Sequence, residues 1–256
     1  MSTPPTPATP VRTVSDEKRA EALRALNRPR TRWRAFSEWA FIVICAVVVV
    51  MIARPMAVEA FKIPTGSMEH TLLVGDFLFV NKAVYGGEIP LVHVRLPAFQ
   101  HPQRGEILVF EFPLNPEKNY VKRLIGLPGD TVEMRDGLVY IDGRSLAEPY
   151  VEHTDPGSDP GAEEFSWQRP FLVRTAEAST HPSRNNWGPL VVPEKNYFVL
   201  GDNRDNSADS RYWGFVPDSL VRGRPMFVYY SYEPDAMRRF PWITKIRWER
   251  IGKRVR

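Results

Sequence analysis

Ser67 is the residue from which chemistry could start. It sits in 62-KIPTGSMEH-70, between Gly66, whose backbone reaches conformations closed to other residues, and a short apolar segment. Two readings are open. Ser67 caps a short helix beginning at Met68, the commonest job for such a serine. Alternatively, the free N–H groups that open a helix hold a developing oxyanion beside a serine nucleophile. Spacing alone does not choose. A serine hydroxyl also needs a base. His70 lies three residues on, seldom the spacing of a working dyad along one short helix. His93, His101, His153 and His181 fall in polar, loop-like or Pro-flanked contexts that suit solvated side chains.

The other candidate base is a lysine. In 119-NYVKRLIG-126, side chains alternate across a strand, so Lys122 shares a face with Tyr120 and Leu124, and Arg123 with Val121 and Ile125. If the sheet is covered on both sides, one of these adjacent cations points inward. A desolvated lysine has a lowered pKa and can accept a proton. The pattern alone favours the competing reading, an edge-strand charge that discourages aggregation. The stretch 201-GDNRDNSADSRYWGFVP-217 shifts that balance. It begins with small and polar residues, lies between strand-like segments, and reads as a loop held by its own hydrogen bonds, with Asp209 and Arg211 as an internal ion pair. No HExxH pair and no GxxxxGK[ST] loop occurs, so neither metal nor cofactor is expected.

The elements that must position these residues begin with 39-WAFIVICAVVVVMIA-53, fifteen residues without a charge. Extended back to Ala35-Phe36, with Arg54 snorkelling, the run reaches the roughly 20 residues a bilayer requires. Lys18, Arg19, Arg24, Arg28, Arg30, Arg32 and Arg34 precede it, while only Arg54 and Lys62 follow closely, which places the N-terminus in the cytoplasm. A cleaved signal peptide fits less well, because more than 30 residues precede the run and no Ala-X-Ala spacing follows it. Cys45, the only cysteine, reads as a small hydrophobe within it.

Residues 2–15 are Pro/Ser/Thr-rich and read as a disordered tail, followed by a basic stretch that suits a juxtamembrane helix. Beyond the anchor the signals are those of strands: 76–82, 106–112, 119–126, 196–200 and 226–232. A tight hairpin is expected at 131-TVEMRDGLVYIDG-143 through Asp136-Gly137. Residues 144–195 look irregular. The basic ends carry no nucleic-acid motif, so no nucleic-acid partner is expected. For 238-RRFPWITKIRWERIGKRVR-256, packing back on the domain is favoured over lipid contact, because its apolar residues do not share one helical face.

Four ordered blocks, 64-PTGSMEHTLLVGD-76, 104-RGEILVF-110, 120-YVKRLIGLPGD-130 and 201-GDNRDNSADSRYWGFVP-217, resemble those of bacterial type I signal peptidases, membrane-bound serine/lysine endopeptidases that act on preproteins. The resemblance implies a mostly β, antiparallel catalytic domain at 59–256 with an inserted β region at about 131–199. A cytoplasmic tail (1–35) and one transmembrane helix (36–58) would precede it. It puts Ser67 on the nucleophile and Lys122 on the general base. Thr65 falls on a hydroxyl that joins the Ser67 N–H in the oxyanion hole, Ser207 on a hydroxyl that orients the lysine, and Asp209 and Arg211 on a supporting pair. Phe61, Ile63, Pro64, Met68, Leu72, Tyr120 and Val121 would line pockets for small residues at −1 and −3. The implied partners are preprotein signal peptides and membrane lipid, for a monomer in the bacterial inner membrane whose catalytic domain faces the periplasm. Glu69-His70 departs from the family pattern, which has proline just before the position of Thr71. Two rivals remain. Soluble serine/lysine autoproteases of the SOS-repressor type carry a DNA-binding segment that is missing here. A catalytically inactive, membrane-anchored binding protein would not need both Ser67 and Lys122.

Overall fold

A computed structural model of the chain describes residues 18–19, 21, 23, 32–86, 88–89, 94–95, 98–155, 157, 163–173, 182–234 and 241–256. The tail expected at 2–15 lies outside these residues, as does most of the basic stretch before Arg32. The chain divides into two compact units, Met1–Met51 and Ile52–Arg256. Helix α1 (Arg32–Ala57) covers the apolar run. Among the described residues, which leave out the side chains of 48–57, no helix is long and apolar enough to cross a membrane. The anchor therefore rests on the sequence.

The second unit is built from β1 (Val58–Lys62), β2 (Asp76–Asn81), β3 (Glu88–Ile89), β4 (Val94–Arg95), β5 (Ile107–Phe112), β6 (Asn115–Gly126), β7 (Thr131–Arg135), β8 (Leu138–Ile141), β9 (Arg144–Ser145), β10 (Trp187–Val191), β11 (Asn196–Leu200), β12 (Val216–Pro217) and β13 (Val221–Ser231). Seven strands form one antiparallel sheet in the order β1-β2-β13-β5-β6-β11-β12. A second sheet has the order β10-β7-β8-β9, and β3 and β4 pair alone. β11 belongs to the large sheet, so the inserted sheet ends at Val191, short of 199. Among the described residues of 144–195 lie β9, a 3-10 segment at Glu163–Phe171 and β10, so these parts are more ordered than the composition implies. The hairpin at Asp136-Gly137 is present. Both residues have positive φ, at 50° and 79°, which suits the right-handed twist of β7 and β8.

β6 lies inside the large sheet, with Leu108 opposite Lys122 and Ile107 opposite Arg123 on β5, and Leu200 opposite Arg123 on β11. Apolar clusters cover both of its faces. One gathers Leu108, Phe110 and Leu124, the other Ile107, Val109 and Met68. Neither cation has a solvated face to turn to, and Lys122 and Arg123 are only 4% and 2% exposed. The edge-strand reading of Lys122 is therefore wrong, because the pattern along one strand carries no record of the strands that flank it.

The C-terminal segment packs back on the sheet. Val228 N–H donates to Lys253 O at 3.0 Å and Val255 N–H to Met226 O at 3.0 Å. Arg250 Nε donates to the fully buried Asp76 carboxylate at 2.9 Å, and its Nη2 to Thr71 O at 3.1 Å. Removing one partner of a buried pair leaves the other uncompensated, at about 3–5 kcal/mol. Arg250→Ala is thus expected to lower the urea midpoint by a stability loss of about that size without changing the slope of the transition. An unchanged midpoint would show that the clasp at Asp76 is dispensable.

Candidate active site

Ser67 does not cap a helix. It is the middle residue of a 3-10 turn, Gly66–Met68, whose N-cap is Thr65, and the Thr65 side chain makes no capping hydrogen bond. The turn places Ser67 beside β6. Lys122 Nζ donates to Ser67 Oγ at 2.5 Å, and the pair is buried. Burial pulls the Lys122 pKa down to about 8. The nearby Asp209 carboxylate pulls it back up, the Arg211 guanidinium opposes that, and Asp202 adds a weaker upward pull. His70, the nearest alternative in sequence, is exposed at a left-handed turn with φ of 77°.

The loop after β11 holds this arrangement from behind. Asp209 Oδ2 accepts from Gly201 N–H at 3.0 Å, and its Oδ1 accepts from Arg211 Nε at 2.8 Å. Both side chains of that ion pair are completely buried. Burial by itself would raise the Asp209 carboxyl; the Arg211 charge and its hydrogen bonds outweigh that and hold it below the usual carboxylate range. Arg211 Nη2 also donates to Arg204 O at 2.7 Å, and Ser210 Oγ accepts from Val199 N–H at 3.0 Å, which closes the loop on the strand it leaves. The pairing expected for Asp209 and Arg211 is therefore present.

Ser207 is buried and makes no hydrogen bond to Lys122; its hydroxyl lies toward the Asp209 carboxylate and helps to hold that group's pKa down. It stands over Gly201. A Cβ there would come within 2.2 Å of Ser207 Oγ and 2.5 Å of Ser67 O, so the close approach of this loop to the Ser67 turn requires glycine. Thr65 is exposed at the rim of the site.

A cavity of about 290 Å³ opens onto the dyad. Phe61, Ile63, Pro64, Thr65 and Met68 line one side, and Tyr120 and Val121 the other. Leu72 does not line it. Leu72 is fully buried in the core with Leu78 and Val80, because the turn after Met68 folds it beneath the site. Lys62, Asn119, Asn206 and Ala208 line the cavity and were not expected. For the last two, the signal was their place in the polar loop.

The larger omission is a clamp on Asp202. Arg123 donates Nε to Asp202 Oδ1 at 2.7 Å and Nη2 to Oδ2 at 2.6 Å, and Thr71 Oγ1 donates to Oδ2 at 2.6 Å. Next along, Asn203 N–H donates to Ser67 O at 3.2 Å, and Asn203 Nδ2 to Glu69 Oε2 at 3.3 Å. Thr71 thus keeps a partner in the loop despite the unusual Glu69-His70. The sequence did offer a sign, since two adjacent cations on a doubly covered strand need two separate destinations.

A group of three or more acidic, histidine or cysteine side chains able to hold a metal is absent among the described residues. Chemically, the site offers a hydroxyl in contact with an amine whose pKa lies near neutrality, beside an apolar slot. A family profile described as "Signal peptidase, peptidase S26" matches residues 36–230. A signal peptidase I of Pseudomonas aeruginosa is 37% identical over 218 residues, covering 77% of this chain and 74% of that protein. One from Rickettsia typhi is 32% identical over 270 residues, covering 90% and 98%. The crystal structure of a signal peptidase I from Enterococcus faecalis is 39% identical and covers 50% of this chain and 98% of its own, with a TM-score of 0.34.

The lowered pKa of Lys122 has a cost in stability. Below pH 8 the lysine is charged and buried, which destabilises the fold by about 3 kcal/mol; that penalty falls away as pH rises from 8 toward 10.5, because there the unfolded chain binds the extra proton. Lys122→Met removes the charge but leaves the Ser67 hydroxyl short of one hydrogen bond, worth about 1 kcal/mol. It is expected to be more stable than the parent by about 2 kcal/mol at pH 7, with the gain lost toward pH 10.5. Urea unfolding at several pH values measures this, and a less stable variant at pH 7 would contradict it.

Proposed function

The chain belongs to the signal peptidase family of S26 peptidases, and on that premise we propose that it removes N-terminal signal peptides from exported preproteins with a Ser67/Lys122 dyad. The observation that carries this reading is the 2.5 Å contact between Lys122 Nζ and Ser67 Oγ in a buried setting. Neutral Lys122 takes the Ser67 proton as the oxygen attacks the scissile carbonyl. The Ser67 backbone N–H and the Thr65 hydroxyl receive the oxyanion. Lys122 then passes its proton to the leaving amine, and later takes one from the water that hydrolyses the acyl-enzyme.

The specificity follows from the slot. Its apolar walls at Phe61, Ile63, Pro64, Met68, Tyr120 and Val121 and its modest volume suit small side chains at −1 and −3. Ser207, buried above Gly201, orients Lys122 in this reading through its hydroxyl. The apolar run anchors a monomer in the bacterial inner membrane with its N-terminus in the cytoplasm and the dyad on the periplasmic side. Confinement at one membrane surface raises the effective concentration of preprotein.

The test uses the detergent-solubilised protein and a preprotein whose signal ends in Ala-X-Ala. The parent is expected to cut after the second alanine, and Ser67→Ala and Lys122→Ala to lose activity by about 10⁴-fold or more. A parent that leaves the preprotein intact would favour an inactive binding protein, and a mutant cutting at the parent rate would remove that residue from the dyad. Because Lys122 must be neutral to act, kcat/KM is expected to rise with pH through about 8 and to fall tenfold per unit well below it. A profile flat down to about pH 5 would exclude a titrating lysine base.

A further inference from the structure

A second cavity, of about 570 Å³, lies where β5 and β13 diverge, away from the dyad's own slot. Its polar wall is cationic. Arg224, Arg254 and Arg256 line it, and among the described residues the one side-chain carboxylate beside them is Glu106. That carboxylate is already engaged, since Glu106 Oε1 accepts from Arg224 Nη1 at 2.5 Å and Oε2 from the Tyr85 hydroxyl at 2.6 Å and Gln103 N–H at 3.0 Å. Arg254 and Arg256 form no ion pair with any described side chain, whereas Arg250, on the same segment, is fully taken up by Asp76. Spaced two apart on an extended stretch, they project to the same side. Their convergence on one cavity leaves two guanidinium charges with no side-chain counter-charge among the described residues. The apolar part of the lining is formed by Pro225, Met226, Phe227 and Val255, on β13 and on the segment that pairs with it.

We propose that this cavity binds a phosphate group, with the Arg254 and Arg256 guanidiniums as its ligands. Guanidinium forks match phosphate oxygens two at a time, and the cavity lies within the 300–1,000 Å³ range of ligand pockets. Free phosphate and a phosphodiester headgroup share this chemistry. The apolar wall gives the second an extra contact for its glycerol and chain atoms. The site makes no use of Ser67 or Lys122, so it stands or falls separately from the peptidase reading.

The test is calorimetric titration of the full chain in neutral detergent with three probes: inorganic phosphate, dihexanoyl-phosphatidylglycerol and the zwitterionic dihexanoyl-phosphatidylcholine. Binding of either anionic probe is expected to weaken with added salt. It should fall by on the order of tenfold for each of Arg254→Gln and Arg256→Gln. Phosphatidylglycerol binding well above phosphate marks a lipid headgroup site; comparable binding marks a free-anion site. Arg254→Lys and Arg256→Lys, which keep the charge, should retain part of the affinity. Because both side chains lie at the surface, the variants should unfold at the parent's urea midpoint, which separates lost binding from lost fold. The proposal is overturned by no heat from either anionic probe, by binding unchanged in the double glutamine variant, or by equal binding of phosphatidylcholine and phosphatidylglycerol.

Discussion

The arrangement depends on keeping one amine dry. In the proposed reaction Lys122 serves Ser67 only if its proton leaves near neutral pH, and burial lowers its pKa because water is excluded and no close carboxylate fully compensates the charge. Exclusion of water is a property of the sheet. β6 runs inside it, flanked by β5 and β11 and covered by apolar clusters on both faces. A strand at an edge could carry the same residues and would hold a solvated, charged lysine instead.

The same burial creates a difficulty that the loop after β11 resolves. Arg123, next to Lys122, cannot reach solvent either, so its charge must be met inside the protein. It needs an anion in the interior, and Asp202 supplies both oxygens. That bond fixes the first turn of the loop. The Arg211–Asp209 pair fixes the last, and Asn203 N–H, next to Asp202, joins the start of the loop to the Ser67 carbonyl. A buried ion pair adds little net stability because desolvation cancels most of its attraction, but breaking one is expensive. Such pairs suit a loop that must hold a single geometry. Here they also set the field at Lys122, since Asp209, Arg211 and Asp202 are the charges that tune it.

What could be read in the sequence follows from which interactions are local. The Asp136-Gly137 hairpin is legible because two residues with positive φ define it, and the Asp209–Arg211 pair because its members are two residues apart. Ser67 stood out in the sequence as a serine after glycine that would need a base to act as a nucleophile. Lys122 by itself was ambiguous, and its periodicity pointed to an edge strand, since strand order is a long-range property. Leu72 was misassigned to the cavity for a similar reason. A left-handed turn at His70 sends the chain back beneath the site, and nothing in the hydrophobic spacing announces it. The clamp on Asp202 joins positions 79 residues apart and could have been anticipated only by asking where Arg123 puts its charge.

On the proposed mechanism, the value near 8 for Lys122 is a compromise between two steps. A lysine buried with no charged neighbours would titrate lower and would be neutral at any physiological pH, but its conjugate acid would then be strong and its free base correspondingly weak toward the Ser67 proton. A lysine beside an unopposed carboxylate would keep its proton and never begin. Asp209 raises the pKa while Arg211 withdraws much of that effect, so the two buried charges bracket the amine. This explains why the supporting residues come as a pair. Removing Arg211 would leave Asp209 free to hold Lys122 protonated, whereas removing Asp209 would strand a buried guanidinium next to the amine that must later accept a positive charge.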